Sequence, residues 1–357
     1  MGKLIVVCVI VAAFSAFIGE RFVKLRERAL ADRLLVQNHL PNCRLIKGLV
    51  KCGSEDVTIL PNGLAIISTG LKYPGMPSFS DAPGKLYLLD LENERLKPVA
   101  LRIGQGFDTE SFNPHGISVY TDEKDHSVYL FVVNHPEDKS QIEIFRYVEE
   151  ENSVFHLKTI YDQLLHSVND IVAVGPESFY ATNDHYFGNA VLKQLEILLL
   201  QPWCTVVYYS PEEVMVVADT FYSANGINIS PDNKFIYVSD ILGHTVHVLK
   251  IEGNNYLSNV KSVNVGSLCD NVEVDRETGD LWLGCHPNGW KAVMYDPQDP
   301  PGSEVLQIQN IHSEKPTVTQ VYADNGSVIE GSSVATPYKG KLLIGSVYHK
   351  ALLCDLK

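Results

Sequence analysis

Apolar and polar residues alternate in short runs over most of the chain, and Pro, Gly and Asn turns interrupt the alternation at regular intervals. The same unit returns six times: a polar head, an alternating strand, a tight turn, a second strand and a third. The first copy runs from Glu55-Asp56 through VTIL, turns at Pro61-Asn62-Gly63, and continues as LAIIST and, after a long loop, KLYLLDL from Lys85. The second opens at His115-Gly116-Ile117 and adds SVYLFVVNH and QIEIFRY. The third opens at Asn169-Asp170-Ile171, turns at Gly175-Pro176, and adds ESFYATND and TVVYYS. The fourth, from Asn225-Gly226-Ile227, turns at Pro231-Asp232-Asn233 before FIYVSD and TVHVLKI. The fifth, from Asp270-Asn271, turns at Glu277-Thr278-Gly279 before LWLGCH and KAVMYD. The sixth begins at Ser332-Ser333, turns at Tyr338-Lys339-Gly340, and ends in LLIGSV and KALLCDL.

A strand meander of this size cannot bury both faces alone, so the copies must stack, and radial closure lets them do so without long open edges. The pattern therefore predicts an all-β fold, a six-bladed β-propeller over residues 43–357. Outer fourth strands are read at KPVALRI, VFHLKTI, EVMVVA, VKSVNV, and VLQIQN or VTQVYA. The sixth copy has none before Lys357. The strand left to close the ring is RLIKGLV, Arg44 to Val50, which puts Cys43 and Cys354 on neighbouring strands able to bridge the seam.

The N-terminus has a different pattern. Leu4 to Ile18 is apolar or small throughout, behind Lys3 and ahead of Glu20-Arg21, which has the length of a signal h-region. Only Ala13 and Ala16 suggest a cleavage stop, so residues 1–20 read as a signal or uncleaved anchor that directs the chain to the secretory pathway. Residues 21–42 alternate basic and apolar side chains and predict an amphipathic helix; Ala190 to Trp203 predicts a peripheral one. Either can lie on a membrane.

A formal net charge of −14 lacks the basic footprint of nucleic-acid binding and suits cations instead. Seven cysteines include no CxxC pair, which argues against a zinc or thioredoxin-type site. In a propeller the first strand of each blade lines the axis, so Glu55-Asp56, His115, Asn169-Asp170, Asn225 and Asp270-Asn271 converge there. Carboxylate and amide oxygens without thiolates favour Ca²⁺. Hairpin register sets His115 opposite His135 or Asn134, Asn169 opposite Asp184 beside His185, and Asp270 near Gly284 and Cys285 next to His286. His115, His135, His185 and His286 should thus gather at one rim. The same register faces Cys269 with Cys285, where a cross-strand bond is usually strained and is not expected.

The strings SEDVTILPNGLA, SFNPHGIS, VNDIVAVGP, TNDHYF, ANGINISPD, GCHPNG and GKLLIGSVYHKAL resemble the serum paraoxonase/arylesterase family from about Cys43 to Cys354. The resemblance implies a six-bladed propeller with two calcium ions that hydrolyses lactones and aryl esters. It implies that Glu55, Asn169, Asn225, Asp270 and Asn271 bind a catalytic calcium, and that Asp56, Asp170 and the Ile117 carbonyl bind a structural one. His115 and His135 match its proposed dyad, Cys43–Cys354 its disulfide, and Cys285 a free thiol. Leu71-Lys72-Tyr73-Pro74-Gly75 resembles the loop over the site. Leu71, Tyr73, His185, Ser223, His286 and Val347 fall in the substrate pocket, and Asn325 at a glycosylation sequon. Ser223 replaces a bulky aromatic of some members, which points to the lactonase branch and to weak phosphotriesterase activity. Cys8, Cys52, Cys204 and Cys269 are additions to the pattern. Family members often keep the hydrophobic N-terminus as a membrane or lipoprotein anchor. The rival expectation is a calcium-stabilised extracellular propeller that only binds partners, because a propeller hosts either role.

Overall fold

The computed structural model describes residues 2–49, 53–73, 76–78 and 80–356, apart from the side chains of Asp138 and Ala190. Val50, Cys52, Pro74 and Gly75, on which parts of the sequence reading fall, lie outside the described residues. Six sheets follow one another along the chain, and their innermost strands touch in a closed ring. Those inner strands are Val57–Ile59, Pro114–Thr121, Val168–Ala173, Ala224–Ile229, Leu268–Val274 and Ser332–Tyr338. The fold is the expected six-bladed propeller.

Each blade has apolar side chains on both faces, and these meet their counterparts on the next blade. Val57, Ile67 and Leu89 of the first blade pack against Val334, Leu343 and Leu353 of the sixth. Val206 and Val217 of the third meet Ile227 and Val238 of the fourth. Burying each such side chain contributes roughly 1.5–3 kcal/mol, so the ring is held by face-to-face stacking.

The ring closes where the sequence predicted. Arg44–Leu45 pairs antiparallel with Leu352–Leu353, Ile46 N–H donates to the Ala351 carbonyl at 2.8 Å, and Cys43 is bonded to Cys354. Ser54 and Ser346 exchange main-chain hydrogen bonds of 2.7 and 2.9 Å beside it. The cross-link spans a sequence separation of 311 residues. Constraining the unfolded chain to that extent is worth up to about 4–5 kcal/mol in the chain-entropy model.

Three expectations are corrected. The anchor and the amphipathic helix over 21–42 are one helix, α1 (Gly2–Arg28). Gly19 does not break it, and a Glu20–Lys24 ion pair of 2.6 Å spans the join. Beyond Arg28 the chain turns, with Leu30 at φ 50°, because its backbone is claimed by the blades. Gly289 N–H donates to Ala29, and Asn38 and Ala323 bond reciprocally. KAVMYD is not a strand. Residues Gly289–Val293 form a short helix, α3, whose N-cap Asn288 accepts from Lys291 N–H, and the fifth blade takes Ser303–Gln309 and Thr317–Asp324 as its outer strands. KPVALRI is divided between blades. Val99–Ala100 ends the first, while Arg102–Ile103 runs parallel to Ser153–Val154 on the edge of the second. The peripheral helix, α2, occupies Ala190–Leu199 with Asn189 as its cap.

Candidate functional site

Consecutive residues of a regular strand point to opposite faces, so Asn169 and Asp170 could not both face the axis. The inner strands solve this with bulges. Pairing with the second strand slips between Pro114 and Ile117, Val168 and Ile171, Ala224 and Ile227, Cys269 and Val272, and Ser332 and Val334. The slips fall on the polar heads, and a bulge frees its residues from the ladder and re-aims their side chains. Gly116 makes this possible next door: a Cβ there would lie 2.3 Å from Asp170 Oδ1.

Two layers result. In one, Glu55 Oε2, Asn169 Oδ1, Asn225 Oδ1 and Asn271 Oδ1 are buried without a hydrogen-bond partner. The amides are oriented by their nitrogens: Asn271 Nδ2 donates to Glu55 Oε1 at 3.2 Å, and Asn169 Nδ2 reaches Asp184 Oδ2 at 3.5 Å. Asp270 lies in the same layer and accepts from His286 Nε2 at 2.9 Å. In the other layer, Asp56 accepts from Val57 N–H at 2.8 Å and Ile117 N–H at 2.7 Å. Asp170 accepts from Ile171 and Ile227 N–H, each at 2.8 Å. Burial, then the Glu55 charge, pushes the Asp56 carboxyl up to about 7; burial and then Asp56 push Asp170 well up. Buried carboxylates that repel one another fit a cation between them. Among the described residues no group of three His, Cys, Asp or Glu side chains is arranged to hold a metal by itself. The donor set here is mostly amide oxygen, which suits calcium rather than zinc.

The ladder pairs Pro114, not His115, with Asn134, so the expected register is off, but the bulge still brings His115 and His135 together, Nδ1 to Nε2, at 3.1 Å. His135 Nδ1 faces the Lys139 carbonyl at 3.1 Å. A carbonyl only accepts, so that nitrogen carries the proton, His135 Nε2 is a bare acceptor, and His115 Nδ1 donates to it. The lone pair of His115 Nε2 is left free, 3.6 Å from Glu55 Oε1. Burial, then the His115 neighbour, lowers His135 to about 3, so it stays neutral. Burial opposes a charge on His115 too, but the carboxylates of Glu55, Asp184 and Asp270 together outweigh it and raise its pKa.

The Tyr73 ring packs against both imidazoles, with centroids 5.5 and 5.7 Å away. Its hydroxyl donates to Asp184 at 2.6 Å, and Asp184 also accepts from Ser167 and His185, each at 2.7 Å. Burial alone would raise the Asp184 carboxyl, but His185, Lys193 and Tyr73 hold it far below its usual range. The register argument had set Asp184 opposite Asn169 without giving it a task; the ladder instead pairs Val168 with Asn183, and Asp184 N–H donates to the Ser167 carbonyl at 3.0 Å.

Glu55, Asn169, Asn225, Asp270, His115, His185 and His286 border one cavity of about 690 Å³, together with Leu71, Tyr73, Ser223 and Val347. His135 stands behind His115 and Asn271 behind Glu55. Its wall also includes Leu25 and Ala29 from the N-terminal segment, Ile197 and Leu200 of the α2 region, and Trp290 of α3, none of which the sequence singled out as lining the site. The Cys285 thiol is not free. Cys269 and Cys285 are directly paired across strands one and two of the fifth blade and are disulfide-bonded. Among the described cysteines Cys8 is exposed and unpaired, and Cys204 is buried and unpaired.

The arylesterase family model matches residues 35–356. Over 357 residues, covering 100% of both chains, the protein is 57% identical to serum paraoxonase/arylesterase 2 of Gallus gallus and to its Homo sapiens namesake. It is 52% identical over the same span to serum paraoxonase/lactonase 3 of Homo sapiens. Among solved structures, a luciferin-regenerating enzyme superposes with TM-score 0.55 at 12% identity, covering 88% of this chain and 96% of that one. The calcium-binding protein regucalcin from Agrobacterium tumefaciens gives 0.53 at 10%, covering 90% and 96%. At such identities those two likenesses speak for the propeller alone. The full-length relatives speak for descent, and by them this chain belongs to the arylesterase family, with the serum paraoxonases.

Proposed function

We propose that this chain, by family a hydrolase of esters and lactones, works with two calcium ions and uses the His115–His135 pair to handle the proton of the attacking water. The observation that carries the reading is the set of four buried, unpartnered oxygens on Glu55, Asn169, Asn225 and Asn271. Leaving four such groups unsatisfied costs about 1–3 kcal/mol each, a cost that a bound hard cation removes. Glu55, Asn169, Asn225, Asp270 and Asn271 would hold one ion; Asp56, Asp170 and the Ile117 carbonyl would hold the other. An ion held by the first set would supply positive charge that favours an oxyanion at the substrate carbonyl.

The protein's own groups do the rest. His115 Nε2 takes a proton from the water as its oxygen bonds to the carbonyl carbon, and Glu55 stabilises the imidazolium. The proton passes to the leaving oxygen as the C–O bond breaks. Neutral His135 fixes the His115 tautomer through Nδ1. Tyr73, Leu71, Val347 and the helical residues exclude water and favour an aliphatic or aromatic acyl group. The small Ser223 leaves room for lactones and offers no aromatic face, so phosphotriester turnover is weak.

An N-terminal helix of membrane-spanning length, with no buried residue, fits a secreted or membrane-associated protein, as do the disulfides. The finer reading is retention of this helix as an anchor to membrane or lipoprotein, with Asn325, which is exposed, glycosylated in the secretory pathway. Turnover of an aliphatic lactone and phenyl acetate, measured before and after EGTA and again after calcium is restored, tests the mechanism. Loss and recovery of both activities is expected; undiminished turnover in EGTA sinks it.

A further inference from the structure

Asn113 directly precedes Pro114 and His115 on the chain and has no part in the mechanism above. It is 7% exposed, and its hydrogen bonds converge on two main-chain segments. Its Oδ1 accepts from Lys72 N–H at 2.7 Å, and its Nδ2 donates to the Lys72 carbonyl at 2.7 Å and the His135 carbonyl at 3.2 Å. Its own carbonyl accepts from His135 N–H at 3.0 Å. The amide thus reproduces the paired bonds of a strand neighbour on Lys72, which fixes that peptide's orientation as well as its distance.

The anchor of this clamp is buried and fully matched. Asn113 N–H donates to Asn134 Oδ1 at 2.9 Å, and Asn134 Nδ2 donates to Glu143 at 2.9 Å. Glu143, 1% exposed, also accepts from Gln141, His156 and Thr159. The far foot of the same loop rests on the next residue: a Cβ at Gly84 would lie 2.3 Å from Pro114 Cδ. Lys72 is joined to Tyr73, whose ring lies against His115 and His135.

We infer that Asn113 is the positioning residue that holds the Leu71–Tyr73 strap, and with it the Tyr73 ring, in register with the His115–His135 pair. Its effect on turnover rests on the hydrolytic reading of that pair; its effect on the strap does not. Alanine at 113 removes all the side-chain bonds, and aspartate keeps an acceptor for Lys72 N–H but has no donor for the two carbonyls.

The test is hydrogen exchange at the Lys72 amide by mass spectrometry, run beside steady-state lactone kinetics, on full-length wild type, N113A and N113D with calcium. Losing one ordinary hydrogen bond is worth about tenfold in an equilibrium constant. Exchange should therefore quicken about tenfold or more in N113A, confined to the strap and the 113–115 and 134–135 backbone. N113D should lie between N113A and wild type. kcat/KM should fall about tenfold, mainly through KM, because the strap walls the cavity. Wild-type exchange at Lys72 in N113A overturns the inference, as does a rise spread evenly over six blades, or strap loosening with unchanged kinetics. Should the wild type hydrolyse no lactone, the hydrolytic reading fails and the exchange result still decides the clamp.

Discussion

The tunnel holds two layers built from the same dipeptides, and they meet opposite fates. Glu55 and Asn169 end with buried oxygens that nothing satisfies, while Asp56 and Asp170, one residue further on, have both carboxylate oxygens met by peptide N–H groups. Two of those four N–H groups come from other blades: Asp56 reaches Ile117 of the second blade and Asp170 reaches Ile227 of the fourth. One layer stitches the propeller and the other is organised without being completed. A fold tolerates such a debt of unsatisfied oxygen where a ligand is to bind, so chemistry belongs in the unmet layer and stability in the met one.

Asn225→Ala is the sharpest way to break this division. It removes a buried orphan acceptor, so unfolding in EGTA should occur at the wild-type temperature or above, while lactone kcat/KM falls about a thousandfold, as when an oxyanion-stabilising group is lost. A coupled loss of apo stability and activity would mean that the two layers are not separate. His115→Gln comes next. A fall of about a hundredfold in kcat, with calcium affinity retained by calorimetry, is the share of a general base. Near-full turnover would take the dyad out of the mechanism. Asp170→Asn probes the met layer: an amide cannot accept from both Ile171 and Ile227 and is a weaker ligand for the second ion, so chemical denaturation with calcium present should show a loss of about 1–3 kcal/mol or more. Turnover below the melting range should drop less than tenfold.

How much of this was visible in the residues follows the same physics. The heads were legible because strand period and turns locate the start of each repeat, and hairpin register then puts His115 and Asp270 within two residues of the positions facing His135 and His286. The bulges were not, since a slip of one residue leaves no mark in a sequence whose heads are polar on both sides of it. KAVMYD failed because six residues of mixed polarity support strand or helix equally; the Asn288 cap and the tertiary setting decided for a helix over Gly289–Val293. Asp184 went unrecognised because its importance lies in its partners, Tyr73, Ser167, Asn169 and His185, and only His185 is its neighbour in sequence. The cavity's helical wall was out of reach for a similar reason. Periodicity shows that a helix has an apolar face and is silent on what that face covers.

The smallest effect on turnover is expected where covalent chemistry sits nearest the site. Cys269 and Cys285 are bonded one residue before Asp270 and His286, which themselves share a 2.9 Å hydrogen bond. It is tempting to make the bridge the device that sets that pair. Yet the strands are already in register without it, through Leu268 with His286 and Val272 with Leu283, and both half-cystines are buried among Val272, Leu283 and Leu306. A cross-link spanning 16 residues acts mainly on the unfolded chain, by about 3 kcal/mol in the entropy model. The double variant C269S/C285S should therefore unfold at lower temperature and hydrolyse lactones within about twofold of wild type at 25 °C, because nothing in the unmet layer has moved. If turnover instead collapses while the propeller stays folded by circular dichroism, the placement of Asp270 depends on the bond, and the unmet layer is held by covalent force where the met layer needs only peptide hydrogen bonds.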